Sequence, residues 1–92
     1  MLSLRFTNQF KKDFKLAQKR GYNLSEFETI VNKLRNGEPL DPKYKDHPLA
    51  GNWKNHRDFH LYPDLVVIYR ISEGELILEM VRMGSHSDLF KQ

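Results

Sequence analysis

The sequence predicts an α+β fold in which a two-helix hairpin packs on one face of a twisted antiparallel sheet, in the order β-α-α-β-β-β. Two observations support this prediction. Apolar residues recur at helical spacing between residues 7 and 36, and at alternating spacing after residue 53. Short turns separate the later segments, which makes their strands antiparallel neighbours, and the helices must then cover the sheet. With 92 residues, the chain is expected to form a single domain, residues 1–92.

The N-terminal segment predicts a short strand followed by a helix. Leu2, Leu4 and Phe6 alternate with polar residues and are expected to face inward. Thr7 can cap a helix that ends near Gly21, a typical C-terminal cap. The predicted apolar side of this helix consists of Phe6, Phe10, Phe14 and Ala17, widened by Leu16. The lysines of the opposite side are Lys11, Lys12, Lys15 and Lys19. They favour a solvated surface, with an acidic partner or an RNA backbone as the alternative.

A second helix is predicted to start at Asn23 or at Ser25. Each of these residues precedes a glutamate by three positions, which is the spacing of a capping box. The predicted buried side of this helix consists of Phe27, Ile30, Val31 and Leu34. Gly37 is expected to end it. The proline-containing stretch 38–51 then predicts a loop with at most one turn of regular structure, and loops of this length are usually functional or disordered.

From Trp53 onward the hydrophobic period changes to two, which predicts strands. One side of the first extended segment carries Trp53, Arg57, Phe59 and Leu61, and the other carries Lys54, His56, Asp58 and His60. Residues 65–69 predict a central strand covered on both faces, because they form a continuous apolar run. A hairpin turn at 72–75, a last strand at 76–81 and one helical turn within 85–90 complete the prediction.

The helix hairpin is expected to leave one sheet face open, and His60 should point to that face. Arg82 is harder to assign, because simple alternation places it with Leu78 and Met80 on the covered side. A bulge or a twisted strand end is required if Arg82 is to reach the open face.

Composition restricts the classes of function. The formal net charge of +3 suits an anionic partner such as nucleic acid or an acidic protein, although a lysine-rich surface alone would also produce it. The chain has no cysteine, which excludes disulfides and cysteine-based zinc sites. Neither a signal peptide nor a membrane span is recognised, so we expect a cytoplasmic protein with no membrane contact.

Histidines carry the candidate chemistry. We expect His47, His60 and His86 to meet near Asp64, since these groups can move protons near neutral pH. Metal-free RNA cleavage needs a base for the 2′-hydroxyl, a cation for the phosphate and an acid for the leaving oxygen, and Arg82 could supply the cation.

Two residues of this region favour a structural interpretation. His56 is expected to be a surface histidine and Trp53 a core or loop anchor. His56 and His60 are four residues apart, which on a helix would let both bind one metal ion. On a strand they lie about 13 Å apart, which is too far for one ion. No metal site and no cofactor are therefore predicted.

Several blocks of the chain resemble the YafQ branch of the RelE/ParE toxin superfamily. These are Tyr44 to Leu49, Gly51 to Lys54, Arg57 to His60, Pro63-Asp64, Ile68-Tyr69, Gly84 to His86 and Leu89-Phe90. The resemblance implies the RelE-like fold and a bacterial type II toxin that cuts mRNA in the ribosomal A site. It also implies a cognate acidic antitoxin, DinJ- or RelB-like and of the ribbon-helix-helix class, whose complex with the toxin binds promoter DNA.

The resemblance also implies functional positions, which are His47, His60, Asp64, Arg82, His86 and Phe90. His86 is expected to be the general acid and His47 or His60 the base, oriented by Asp64. Phe90 is expected to position a nucleobase, and Lys54 and Arg57 are added as substrate-binding candidates. Leu65 stands where a relative of this branch has tryptophan, so no stacking role is assigned there.

Two other classes of function stay open at this point. A ParE-like toxin would inhibit a topoisomerase by binding, without nuclease activity, although that branch lacks the histidine set. A fold-only interaction module would not be toxic at all. Growth arrest with intact mRNA and damaged DNA would indicate the topoisomerase inhibitor. Overexpression that is harmless without an antitoxin would indicate the interaction module.

Overall fold

A computed structural model describes residues 1–90 and shows a five-stranded sheet with strand order β1-β5-β4-β3-β2. The strands are β1 (Ser3–Phe6), β2 (His47–Pro48), β3 (Arg57–Tyr62), β4 (Leu65–Ser72) and β5 (Ile77–Gly84). The helices are α1 (Asn8–Lys19), α2 (Phe27–Arg35) and α3 (His86–Leu89). Neighbouring strands are antiparallel except at one edge, where β1 pairs with β5 in parallel. Within the described range, no helix is long and apolar enough to cross a bilayer.

Helix α1 begins where the sequence predicts. The Thr7 side chain accepts a hydrogen bond from the Phe10 amide at 2.9 Å, and Gly21 follows the helix with a positive φ of +88°. Phe10 and Ala17 are buried, whereas Leu16 is 45% exposed. The expectation that Leu16 widens the buried stripe is therefore wrong.

Helix α2 begins later than predicted, at Phe27. The Asn23 side chain does accept a local hydrogen bond, but from Ser25 within a turn, and Glu26 precedes the helix without a side-chain cap. The four predicted core residues, Phe27, Ile30, Val31 and Leu34, are all buried. Gly37 ends the segment with a φ of +74°, as predicted.

The long loop has more regular structure than expected. It contains a 3-10 turn, Pro42–Tyr44, and then strand β2, whose His47 lies opposite Asp58 of β3. A second 3-10 turn, Gly51–Trp53, occupies the start of the segment that was predicted to be extended. The strand itself begins only at Arg57.

Both faces of the sheet are covered near its centre. The main core lies under the helices and includes Phe59, Val67 and Tyr69. A second, smaller cluster on the opposite face consists of Val66, Ile68 and Leu89, with Leu49, Trp53, Val81 and Phe90 packed against it. The opposite face is therefore only partly open, because α3 and the loop before β3 cover it.

A register shift between β4 and β5 shows that the sheet contains a bulge, one of the two irregularities considered for Arg82. Ile68 pairs with Arg82 while the next residue, Tyr69, pairs with Met80, which leaves Val81 as the extra residue. The bulge does not direct Arg82 to the histidines. Its guanidinium instead bonds to Asp13 of α1, with Nε 2.8 Å from Oδ2.

Candidate active site

Three imidazoles lie side by side at one end of the sheet. The ring centroids of His47 and His60 are 6.5 Å apart, and those of His60 and His86 are 5.2 Å apart. The ring of Phe90 lies 5.7 Å beyond His86. The predicted convergence of the three histidines is confirmed, although they come from three separate parts of the chain.

Strand register and a helix cap place these rings. His47 pairs across the sheet with Asp58, and His60 lies two residues further along β3, on the same face as Asp58. His86 is the first residue of α3. Ser85 caps this helix through a reciprocal capping box with Asp88, which fixes the direction in which the chain leaves β5.

A carboxylate that the sequence did not single out lies beneath the imidazoles. Asp58 is 2% exposed, and its Oδ1 lies 3.1 Å from Nδ1 of His47. That oxygen has no hydrogen bond of acceptable geometry within residues 1–90. Burial raises the pKa of Asp58, and the charges of His47, His60 and His86 act against this rise. A sequence signal did exist, since alternation placed Asp58 on the same face as His60.

The central imidazole is partly removed from solvent. Burial lowers the pKa of His60; the charge of Asp58 opposes this effect, and the charges of His86 and His47 add to it. Val66 and Ile68 lie directly across from His60 and Asp58 on β4, and both are fully buried. The apolar cluster is thus one source of the desolvation at this end of the sheet.

The two predicted partners of the histidines bond elsewhere. Asp64 accepts a hydrogen bond from the Tyr22 hydroxyl at 2.8 Å, and this bond raises the pKa of Tyr22. The expectation that Asp64 orients a histidine is not met in this structure. Arg82 is held by Asp13, whose Oδ2 also accepts the Met83 amide at 3.0 Å.

The two added substrate-binding candidates are also apart from the imidazoles. Arg57 lies 3.3 Å from both the Asp46 carboxylate and the Tyr69 hydroxyl, on the helix-covered side of the sheet. Lys54 is exposed at the end of the second 3-10 turn.

The neighbouring aromatic residues have structural contacts. Nδ1 of His56 lies 3.1 Å from the Lys54 carbonyl oxygen, and its ring meets Trp53 edge to face. Trp53 itself packs on the second cluster. The structural interpretation of Trp53 is therefore confirmed.

A groove of about 630 Å³ opens beside His60 and His86. Its other charged and aromatic lining residues are Lys43, Lys45, Tyr44 and Tyr62, together with the acidic Glu26. The Nζ of Lys43 lies 5.1 Å from the centre of the Tyr44 ring. Sequence reasoning missed these residues because they flank the histidines in loops. In a loop, neither hydrophobic periodicity nor residue spacing indicates which way a side chain points.

The side chains of this site can transfer two protons in a reaction at one phosphate. Neighbouring imidazoles provide a base and an acid, lysines can bind phosphate oxygens, and tyrosine rings can stack on bases. In residues 1–90, no group of three or more His, Asp or Glu side chains converges as a metal site.

Comparison with known proteins identifies a family that fits this site. A family model described as the bacterial toxin of type II toxin-antitoxin systems, YafQ, matches residues 2–91. The Escherichia coli K12 protein described as mRNA interferase toxin YafQ is 40% identical over 88 residues, which cover 95% of this chain and 94% of that protein.

Solved structures agree with this match over almost the whole chain. The crystal structure of a metal-bound toxin from Helicobacter pylori has a TM-score of 0.92 and 46% identity, covering 98% of this chain and 100% of that one. The crystal structure of the Escherichia coli DinJ-YafQ complex has a TM-score of 0.87 and 38% identity, covering 98% and 99%. These similarities confirm the predicted α+β fold.

Proposed function

The chain belongs to the YafQ family of bacterial toxins of type II toxin–antitoxin systems, and from this we propose that it is an endoribonuclease that cleaves messenger RNA. The observation that carries the proposal is the row of three imidazoles beside a basic, aromatic groove. Residues 1–92 are proposed to act as one domain. The topoisomerase-inhibitor alternative loses support, because the family matched is the histidine-containing one.

The proposed reaction is metal-independent transesterification. A histidine base takes the proton of a ribose 2′-hydroxyl, and the 2′-oxygen attacks the adjacent phosphorus. The bond from phosphorus to the 5′-oxygen breaks, and His86 donates a proton to that leaving oxygen. His86 suits this role because its ring is exposed at the mouth of the groove, whereas His60 is more enclosed.

Substrate contacts are proposed on both sides of the histidines. Lys43 and Lys45 would bind phosphates along the groove, with Tyr44 and Tyr62 available for base stacking. Arg82 is proposed as a phosphate ligand through Nη1, because only Nε and Nη2 bond to Asp13 among the described residues.

The remaining positions carried by the resemblance have supporting roles in this proposal. Phe90, half-buried beside His86, would position a base. Asp64 would act by holding Tyr22, next to the Tyr62 ring at 5.6 Å. Lys54 and Arg57 are the least supported, because neither lines the groove.

The partners are proposed by analogy with relatives. The DinJ-YafQ toxin-antitoxin complex of Escherichia coli supports a cognate antitoxin as the protein partner. We propose that this antitoxin neutralises the toxin, is acidic and belongs to the ribbon-helix-helix class. The net charge of +3 suits both an acidic antitoxin and RNA. We propose mRNA in the ribosomal A site as substrate, action in the cytoplasm, and promoter binding by the toxin–antitoxin complex.

His86→Ala tests the function directly. Loss of the acid should slow cleavage by about 100-fold or more. The fold should persist because the side chain is exposed and its removal leaves no cavity. Primer extension on translated mRNA, with and without a chelator, measures cleavage, and His56→Ala is the matched control. Full cleavage by folded His86→Ala contradicts the assignment, and loss of wild-type cleavage in chelator contradicts metal independence.

A further inference from the structure

We propose that Asp58 is a positioning residue that stabilises the protonated form of His47, whose tautomer the Lys45 carbonyl oxygen fixes, and that His47 is therefore the general base. The inference rests on the proposed nuclease function and deepens it, because the base was open between His47 and His60. Neither the sequence pattern nor the family resemblance assigned a role to Asp58.

The first argument concerns the hydrogen on the His47 ring. Its Nδ1 lies 2.7 Å from the carbonyl oxygen of Lys45 and 3.1 Å from Oδ1 of Asp58. The Lys45 oxygen can only accept, so Nδ1 carries the hydrogen, and the Asp58 oxygen lies beside it without a hydrogen bond of acceptable geometry. In the neutral ring the lone pair therefore lies on Nε2. Since the side chain is 50% exposed, His47 is accessible to a substrate proton.

The second argument concerns the buried carboxylate. Oδ1 of Asp58 has no hydrogen-bond partner in the described part of the chain, and leaving such an oxygen unsatisfied is unfavourable. The charged or titratable groups that face Asp58 are His47, His60, His86 and Asp46. A positive charge on His47 is the nearest compensation, at 3.1 Å. The carboxylate thus interacts more strongly with the imidazolium that forms during the reaction than with the neutral ring.

The resulting step balances without any further reactant. The 2′-hydroxyl proton moves to Nε2 of His47, the 2′-oxygen bonds to phosphorus, and the departing 5′-oxygen takes a proton from His86. Asp58 remains a carboxylate throughout and exchanges no proton. Its role resembles that of an aspartate that stabilises the charged form of a catalytic imidazole.

The tautomer is tested in the wild-type protein without any substitution. Nitrogen-15 chemical shifts of the imidazole rings distinguish the two neutral tautomers. We expect the neutral His47 ring, at a pH well above its titration midpoint, to be protonated on Nδ1. A ring protonated on Nε2 would overturn the proposal whether or not the protein cleaves RNA, so this measurement is independent of the nuclease function.

Asp58→Asn removes the charge while keeping the shape, and Glu73→Gln, in the exposed β4–β5 turn, is the matched control. We expect single-turnover cleavage to slow by roughly 10- to 100-fold in Asp58→Asn and to be unchanged in the control. Because a merely structural residue would lower activity through loss of the fold, the comparison is made in variants that remain folded, and the double variant His47→Ala with Asp58→Asn separates the two roles.

A double variant tests whether Asp58 acts through His47. The double variant His47→Ala with Asp58→Asn should cleave RNA at a rate within about twofold of that of His47→Ala alone. Independent losses that multiply would overturn the proposal, as would unchanged cleavage in folded Asp58→Asn. If the wild-type protein cleaves no RNA while the neutral His47 ring is protonated on Nδ1, the nuclease function fails and the assigned His47 tautomer stands.

Discussion

At the residue scale, some features of the site follow from the spacing of residues in the sequence, and others are visible only in the structure. The alternation of β3 placed Asp58 and His60 on one face, and both the chemistry of imidazole and the family resemblance singled out the histidines. Neither signal indicates which of two nearby carboxylates lies under a ring. Asp58 does so because β2 pairs His47 directly across from it, whereas Asp64 follows the β3–β4 turn and bonds to Tyr22. Pairing between strands that are far apart in the sequence cannot be predicted from a local residue pattern.

The burial of His60 has a consequence for stability. Burial lowers the pKa of His60 below its ordinary value of 6.5, so the unfolded chain binds this proton at a higher pH than the folded protein. The unfolding free energy should therefore decrease as the pH falls below 6.5, and His60→Gln should weaken this dependence. Urea unfolding at a series of pH values between about 5 and 7 measures it. An equally steep dependence in His60→Gln would show that other groups cause it.

At the element scale, helix and strand types were predicted well and their starts were not. The core stripe of α2 follows from helical spacing, which depends only on local geometry. Its start does not, because Asn23 satisfies its capping preference within a turn before the helix begins. Strand β2 was missed for a different reason. It has two residues and exists only because β3 offers an edge to pair with.

The link between β5 and α3 also depends on contacts between distant elements. Asp13 of α1 is 8% exposed and accepts hydrogen bonds from Arg82, from the Met83 amide and from Gln9. This buried carboxylate therefore anchors the last residues of β5 to α1. Sequence analysis placed Asp13 within a helix but had no means of pairing it with a residue 69 positions away.

Gly84→Ala tests how tightly α3 is positioned. A Cβ at Gly84 would lie 3.1 Å from Cβ of Asp88 and 3.4 Å from a Leu89 methyl carbon, so α3 must shift to admit it. Because α3 carries His86, we expect about 1–2 kcal/mol of destabilisation and roughly tenfold slower cleavage. Urea unfolding and single-turnover cleavage measure these effects.

The matched control for this prediction is Gly74→Ala. A Cβ at Gly74 meets nothing within 4 Å, and its backbone does not have a positive φ. Its effect on stability should remain within about 0.5 kcal/mol. If both alanine variants behave like wild type, the position of α3 is not constrained by its contact with Gly84.

At the scale of the whole molecule, the predicted architecture is confirmed but one face was misjudged. The sequence shows that a helix hairpin covers a sheet, because amphipathic helices need an apolar partner. It did not show that Leu89 and Phe90 fold back onto Val66 and Ile68. Such short terminal segments have no periodicity of their own. Their packing leaves the histidines at the rim of an apolar cluster instead of on an open face.

A further question at the scale of the whole molecule is whether RNA binding depends on the net charge of the protein or on the local charges of the groove. The double variant Lys43→Gln with Lys45→Gln removes two positive charges from the net +3, and so does Lys12→Gln with Lys19→Gln on α1. Only the first pair lines the groove beside His60 and His86. For each phosphate of single-stranded RNA that a variant no longer neutralises, the slope of log affinity against log salt should become shallower by about 0.7.

We therefore expect this slope to become shallower by about 1.4 in the groove pair, and by much less in the α1 pair. Fluorescence anisotropy with a short 2′-O-methyl RNA, which lacks the attacking hydroxyl, measures binding without cleavage. Equal changes of slope in the two pairs would mean that RNA responds to overall charge, and the groove would then have no special part in binding. A change confined to the groove pair places the bound phosphates beside His60 and His86, because these two histidines line the same groove as the lysines.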